Sequence, residues 1–535
     1  MKKYVLFLFV VFLVSGMLMG SVWAERSGGS CTVAAPYGGD FFSLDPHVTT
    51  RTQDYLVTIN MHHGLYKWDP DQNKPVLDLP QKVEISDDGL VYTYTLRDNI
   101  KFHNGRQLVA DDVIWSFERI MNPKTASPCS RRIRVIKGAK EFEDGQAANI
   151  AGLRKIDDLT IEMTLDGAID PGYPLYEPCA AILPREEVEK DAAAFGLSPV
   201  GCGPFKFVNW VKGSELVIEK FPDYYEDGKP YLNKLVYSVM PEAAARDVAF
   251  RAKELDVTIV DSAQYEAYQA DPEISKNMVE VAEMYTRSIG FNLEFAPFSD
   301  KRVRQAINYA IDSELIITKF LKNKAYPAIG FLPTTSEAFN PNAKGYNYDP
   351  EKAKALLKDA GYENGFEFTC IATSNKAWGA ELLETLIPFL KNVNVTLKIQ
   401  QLDEAALAQS VLNEQGWDAY IWSLDSGPDP LQALGRFHSN NPQSGGNFVR
   451  YHNPEFDKLL DAASQERDEA KKIALLQQAD ALFTEEAPLW FFNYNKAIIA
   501  TQPWVHGIKP VAVEHMYQNF ADVWIEESSP RANEK

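Results

Sequence analysis

Hydrophobic and polar positions alternate with a period of two through much of the first half of the chain. The clearest case is residues 83–96. There Glu84-Ile85-Ser86 and Val91-Tyr92-Thr93-Tyr94-Thr95-Leu96 form two alternating arms, with Asp87-Asp88-Gly89 as the turn between them. This pattern predicts a β-hairpin. Ile100-Lys101-Phe102-His103 predicts a further short strand, stopped by Asn104-Gly105. Ala110-Asp111-Asp112 then caps a helix whose apolar face is Val113, Phe117 and Ile120. More strands are expected at 159–165, 216–218 and 235–240, and a tight turn at Gly201-Cys202-Gly203-Pro204.

The pattern changes near Ile289. Ile289-Gly290-Phe291 reads as a strand with a glycine inside, a candidate hinge crossing. Asp300 and Asp349-Pro350 open helices, the second ending at Gly361. Strands are expected at 366–373 and 395–402, helices at 382–390 and over most of 456–483, and short strands at 489–492 and 497–500. The tail, 504–524, reads as strand again. Alternation of strands with helices predicts an α/β protein with a parallel or mixed sheet in this half.

One stretch, residues 417–436, joins local structure to chemistry. Ala419, Tyr420, Ile421 and Trp422 predict a strand. Ser426-Gly427-Pro428 breaks it, and Asp429 before Pro430 caps a helix. Asp425 therefore lies where a strand ends and a loop opens, the place where open α/β sheets bind small ligands. Trp422 precedes it by three residues.

At 535 residues the chain exceeds a single core, so two or three domains are expected. A formal charge of −20 argues against a nucleic-acid partner. Lys2 and Lys3, the apolar run 4–19 and Val22-Trp23-Ala24 predict a secretory signal cleaved after Ala24. Cleavage removes two lysines and no acid, taking −20 to −22. No later apolar run is long enough to span a bilayer.

The five cysteines contain no C-x-x-C and no zinc spacing. An oxidising compartment permits disulfides, and Cys179 with Cys202 is the expected pair. His62-His63-Gly64 reads as a helix C-terminus with a glycine cap, since adjacent histidines point apart. No G-x-S-x-G, H-E-x-x-H or P-loop is present. The paired acids at 87–88, 111–112, 157–158 and 186–187 lie in turns or at helix starts, where acids have structural reasons to be. A binding protein without cofactor or metal is therefore expected rather than an enzyme.

Several segments together resemble a known family. They are residues 86–97, Lys101-Phe102-His103-Asn104-Gly105, Ala110-Asp111-Asp112-Val113 with Ser116-Phe117, Gly201 to Phe205, Lys301-Arg302-Val303-Arg304-Gln305-Ala306, residues 348–353, and Asn453-Pro454-Glu455-Phe456-Asp457. From about Cys31 onward the chain resembles the family 5 solute-binding proteins of peptide-type ABC importers. The usual Thr is replaced by Cys202.

The resemblance implies a two-lobed, flytrap-like periplasmic-binding-protein fold, type II-like, with an extra subdomain in the N-terminal lobe. It places the signal at 1–24, lobe I at 25–63, 185–288 and 495–535, the subdomain at 64–184 and lobe II at 289–494, with crossings near Ile289 and Tyr494. It implies a monomeric periplasmic protein that hands short peptides to an inner-membrane permease.

The resemblance also assigns Trp422-Ser423-Leu424-Asp425 as the motif whose Asp holds the ligand's ammonium. Dipeptide binders of the family often place an Arg after the strand that corresponds to 366–373. Here Lys376 and Trp378 stand there, and Arg131, Arg132 and Arg436 are the other cations considered. The expected ligand-binding residues are Asp425, Trp422, Ser423, Trp378, Lys376, Arg436 and Tyr494. The alternatives are an oligosaccharide, stacked on Trp378, Trp417, Trp422 or Trp490, and a nickel chelate near His438.

Overall fold

The computed structural model describes residues 28–534 except 50, 168, 375–377, 414–415, 442–444 and 514–517. The expected signal and Lys376 lie outside these residues. The chain starts with β1 (Ser30–Ala34). Strands β2 (Tyr66–Asp69) and β3 (Lys74–Leu77) form a small hairpin. The predicted hairpin is present as β4 (Pro80–Ile85) and β5 (Val91–Leu96), turning at Gly89 with φ 73°. With β6 (Leu153–Lys155) and β7 (Thr160–Thr164) it makes a four-stranded sheet of order β4-β5-β7-β6. The strand expected at 100–103 reduces to one bridge, Lys101 to Gln107, because Asn104-Gly105 reverses the chain at once.

The main sheet takes β1 together with β8 (Phe205–Val211), β9 (Glu215–Lys220), β10 (Lys234–Ser238), β11 (Val257–Ile259), β12 (Met278–Phe291), β13 (Ala325–Pro327), β14 (Phe366–Thr373), β15 (Val395–Leu402), β16 (Ala419–Asp425) and β17 (Leu489–Thr501). Its order is β15-β14-β16-β12-β17-β11-β1-β10-β9-β8, with β13 paired to β17. The two short strands expected near the end are thus one continuous strand, β17. Among its described residues the tail contributes β18 (Val505–His506) and β19 (Trp524–Ile525).

β12 and β17 pair antiparallel at both ends, Met278–Ala282 against Ala500–Lys496 and Thr286–Gly290 against Tyr494–Leu489. Apolar burial falls on two sides of this crossing. One core draws on residues 31–284 and 497–525, and two others draw on residues 289–492. The protein is a two-lobed α/β structure whose lobes share one sheet. Gly290 does not take a left-handed conformation. It is glycine because a Cβ would sit 2.4 Å from the Tyr420 ring. Likewise a Cβ at Gly201 would lie 1.9 Å from the Met61 carbonyl, so the 201–203 turn docks directly on backbone.

The helix expected to end at Gly64 ends at Thr58. His62 and His63 lie beyond it, both buried. His63 Nδ1 sits 2.9 Å from Asp78, which also accepts from Tyr225. His47 donates to the Ala181 carbonyl at 2.8 Å, and His103 packs on the glycine turn, accepting from the Gly201 N–H.

The cysteine expectation is corrected. The disulfide is Cys129–Cys179, with Cα atoms 5.8 Å apart across a separation of 50 residues. Cys202 is a buried free thiol, pushed up to about 12 by burial. Sequence spacing could not show that Cys129, after the helix Ala110–Met121, folds back onto the 178–180 turn. Peptide mapping of the unreduced protein is expected to recover a Cys129–Cys179 link and a free Cys202. Cys179→Ser is expected to lower stability to urea by about 2–4 kcal/mol, and an unchanged midpoint would contradict a structural bond.

Burial depresses the imidazoles of His47 and His103 to about 4 and that of His62 to about 3. Their folded values lie below the unfolded value, so their contribution is complete above about pH 6.5 and is lost as pH falls toward 4. Buried Asp480, raised to about 7, works the other way. The three histidines each lose on the order of 1–2 kcal/mol between pH 7 and pH 5, and the raised carboxyls of Asp480, Asp256, Asp429, Glu337 and Glu118 offset part of this, leaving a net loss. Urea melts at the two pH values measure it; equal stability would contradict the buried neutral histidines.

Candidate ligand-binding cleft

The cleft exists because β12 and β17 part company. Between Ala282 and Thr286 their register breaks, and β12 turns its partners elsewhere. Met284 donates its N–H to the Ala512 carbonyl and accepts from Ser426, while Tyr285 aligns with Asp425 of β16. Alternation on β12 then aims Glu283, Tyr285 and Arg287 into the gap. Two adjoining cavities open there, of about 530 and 390 Å³, sharing Glu283, Arg287, Trp378 and Asn495.

β16 forms as its apolar run predicts, and Asp429 caps the following helix by accepting from Leu431 and Gln432. Asp425, the last residue of the strand, is exposed. Its Oδ1 accepts the Gly427 N–H at 2.8 Å, and Gly427 takes φ 46° to allow this. The other oxygen has no hydrogen bond within the described residues. Trp422 and Ser423 line the smaller cavity, with Trp422 half-buried. Trp378 lines both cavities and lies under the Arg287 guanidinium at 4.6 Å.

Arg436 is near enough to Asp425 for its charge to be felt. Burial lowers its pKa, and its Nε has no hydrogen-bond partner. Tyr494 is not brought to these cavities. It is fully buried, and its hydroxyl faces the Gly330 and Leu332 carbonyls at 2.9 and 3.0 Å. Arg132 pairs with Glu177 at 2.6 Å, away from the cleft.

Sequence reasoning missed Arg287. It stands in β12 directly opposite Ser423, whose Oγ accepts from its Nη2 at 3.0 Å, while its Nε is buried without a partner. Burial pulls its pKa down to about 10, with Glu283 opposing. The signal was present as a single Arg inside an otherwise apolar and hydroxyl-bearing strand, Tyr285 to Phe291. On the far side the lobes touch directly: Asn73 donates to the Thr335 carbonyl at 2.5 Å, and Tyr173 donates to Glu337 at 3.0 Å.

Two lobes sharing a twin-strand crossing, with a polar and aromatic cleft at that crossing, define a solute-binding protein of the kind that encloses its ligand. The chain belongs to the bacterial extracellular solute-binding proteins, family 5, whose middle region matches residues 74–445. It is 27% identical to the glutathione-binding protein GsiB of Pectobacterium atrosepticum over 501 residues, covering 91% of this chain and 92% of that one. It is 26% identical to the dipeptide-binding protein of Escherichia coli, covering 92% and 94%. Its fold matches the periplasmic binding protein DppA from Helicobacter pylori, solved with the peptide STSA, at a TM-score of 0.71 and 26% identity, over 94% of this chain and 99% of that one. Among the described residues no helix is long and apolar enough to cross a membrane.

Proposed function

We propose that the chain is the periplasmic substrate-binding component of an ABC importer, which captures short peptides between its lobes and delivers them to a membrane permease. It acts by binding, without turnover, and as a monomer. The observation that carries the reading is Asp425: an exposed carboxylate at a strand end, one oxygen without a hydrogen bond among the described residues, which lines neither cavity itself but pairs with Tyr285 and follows Ser423 by two residues, both of which line the smaller one. A ligand ammonium entering a closing cleft loses water, and a carboxylate at hydrogen-bond distance offsets that loss. Trp422 offers an apolar face next to the anchor. The dipeptide-binding relative and the peptide-bound neighbour support the same reading.

The two alternatives find less support. Trp417 is buried with its indole N–H donated to the Ser410 carbonyl, and Trp490 is buried, so neither can stack on a sugar, which leaves Trp378 and Trp422, at the cavities, as the two of the four that could. His438 lies between Asp457 at 3.7 Å and Asp461 at 3.4 Å, so two carboxylates of the protein already account for its ring.

Calorimetry with a pool of di- and tripeptides tests the assignment. Asp425→Asn is expected to weaken binding roughly 30-fold or more, as loss of one partner of a desolvated charge pair costs about 2–5 kcal/mol. Wild-type affinity in that variant would remove Asp425 from the site.

A further inference from the structure

The lobes also meet away from the crossing, and the meeting is acidic. From lobe II comes the loop 328–339, which follows β13. Its base is fixed. The Tyr494 hydroxyl accepts from the Ile329 and Gly330 N–H groups, Asp480 accepts from the Leu332 N–H, and Phe331, Leu332 and Ala338 are buried in a lobe II core. Its tip carries Thr335 and Glu337 to the other lobe. Thr335 donates its hydroxyl to the Ala282 carbonyl of β12 at 3.1 Å, and its own carbonyl accepts from Asn73, in the turn between β2 and β3. Glu337 accepts from the hydroxyl of Tyr173, in the short helix Gly172–Leu175.

The charges around that tip are mostly of one sign. Lobe I brings Asp170, three residues before Tyr173. Lobe II brings Glu337, Asp429 at the start of the helix Pro430–Gly435, and Glu469 and Lys472 from the helix Glu469–Glu486. Four carboxylates thus share one ammonium, and among the described residues no salt bridge reaches Glu337. Burial raises the Glu337 carboxyl above its usual range; Glu469 and Asp429 add to the rise, while Tyr173 and Lys472 oppose it. Asp429 is raised too, by burial first and also by Asp170 across the junction. When the lobes part, Asp170 and Tyr173 leave with lobe I, water returns to Glu337, and like charges separate. Carboxyls that are raised in contact and ordinary when apart take up protons on closing. The closed form therefore gains as pH falls from neutrality toward the usual carboxylate range, and loses as pH rises through the raised values. A protonated Glu337 still meets Tyr173, because a neutral carboxyl both donates and accepts.

We propose that the loop 328–339, with Asp170 and Tyr173 facing it, is a proton-operated latch, so that the lobes close more readily in mildly acidic surroundings and hold what they enclose longer there. This needs two lobes that close on a ligand and does not depend on which ligand that is.

The test is small-angle X-ray scattering of the ligand-free mature protein at about pH 7.5 and about pH 5.5, read as the ratio of closed to open molecules. Acidification is expected to raise that ratio about 3- to 10-fold in the wild type, since one proton taken up on closing changes it by up to about tenfold per pH unit. Glu337→Gln is expected to be as closed near neutrality as the wild type is in acid, and to lose most of the response. Lys472→Gln, which removes the opposing cation, is expected to move the response to higher pH. Asp425→Asn is expected to keep the wild-type response, which separates the latch from the amine anchor. Circular dichroism checks that each variant is folded, and Asp170→Asn, at an exposed position, gives a smaller loss of the response if Glu337→Gln fails to fold. Unfolding expands the molecule and so does not imitate closure. The same ratio at both pH values in the wild type, or a full wild-type response in folded Glu337→Gln, overturns the latch. Both results leave the peptide reading standing, because no ligand is present in the measurement.

Discussion

The antiparallel pairing of β12 with β17 is the constraint on which the rest depends. Both strands carry residues of cores on either side of the crossing. Met278–Ala282 is bonded into lobe I and Thr286–Gly290 into lobe II. Unbroken, the pairing would make one rigid sheet with no room between its halves. The break at residues 283–285 frees three residues from β17; Glu283 and Tyr285 line the smaller cavity, while Met284 turns into the core. The residues at the crossing between the lobes are thus also residues that line the cavities, an arrangement in which contacts to a ligand would bias lobe closure.

The cleft's chemistry follows from charges removed from water. Asp425 keeps one oxygen exposed at a strand end, while Arg287 is sunk into the floor with an unused donor. Each is poorly served by the protein alone. Trp378 and Trp422 shape the space between them. The direct lobe contacts, Asn73 to Thr335 and Tyr173 to Glu337, are neutral-donor hydrogen bonds at the margin, of a strength that a ligand can reinforce or release.

Much of this was legible in the sequence. β14 and β15 form with the bounds expected from the sequence, 366–373 and 395–402. The caps at Asp300, Asp349 and Asp429 each accept backbone N–H groups, as the short polar side chain before a helix dictates. Local rules give such features because their causes are local. The misses were contacts between distant segments. The partner of Cys179 depends on how the 129 loop folds back, which no spacing reports. β17 read as two short strands because Asn493 and Asn495 interrupt its apolar run, yet both lie at the cleft. Tyr494 looked like a site residue from its place at the crossing, but strand alternation turns it away from the cavity that takes its neighbours. Arg287 escaped notice because a lone cation in a strand acquires meaning only when β16 is laid beside it.

The most direct measurement of the central claim is mass spectrometry of the protein purified intact from a bacterial periplasm and then denatured to release what it carries. The account predicts a mixture of short peptides with free amino ends. Release of a neutral sugar or a metal chelate would contradict it.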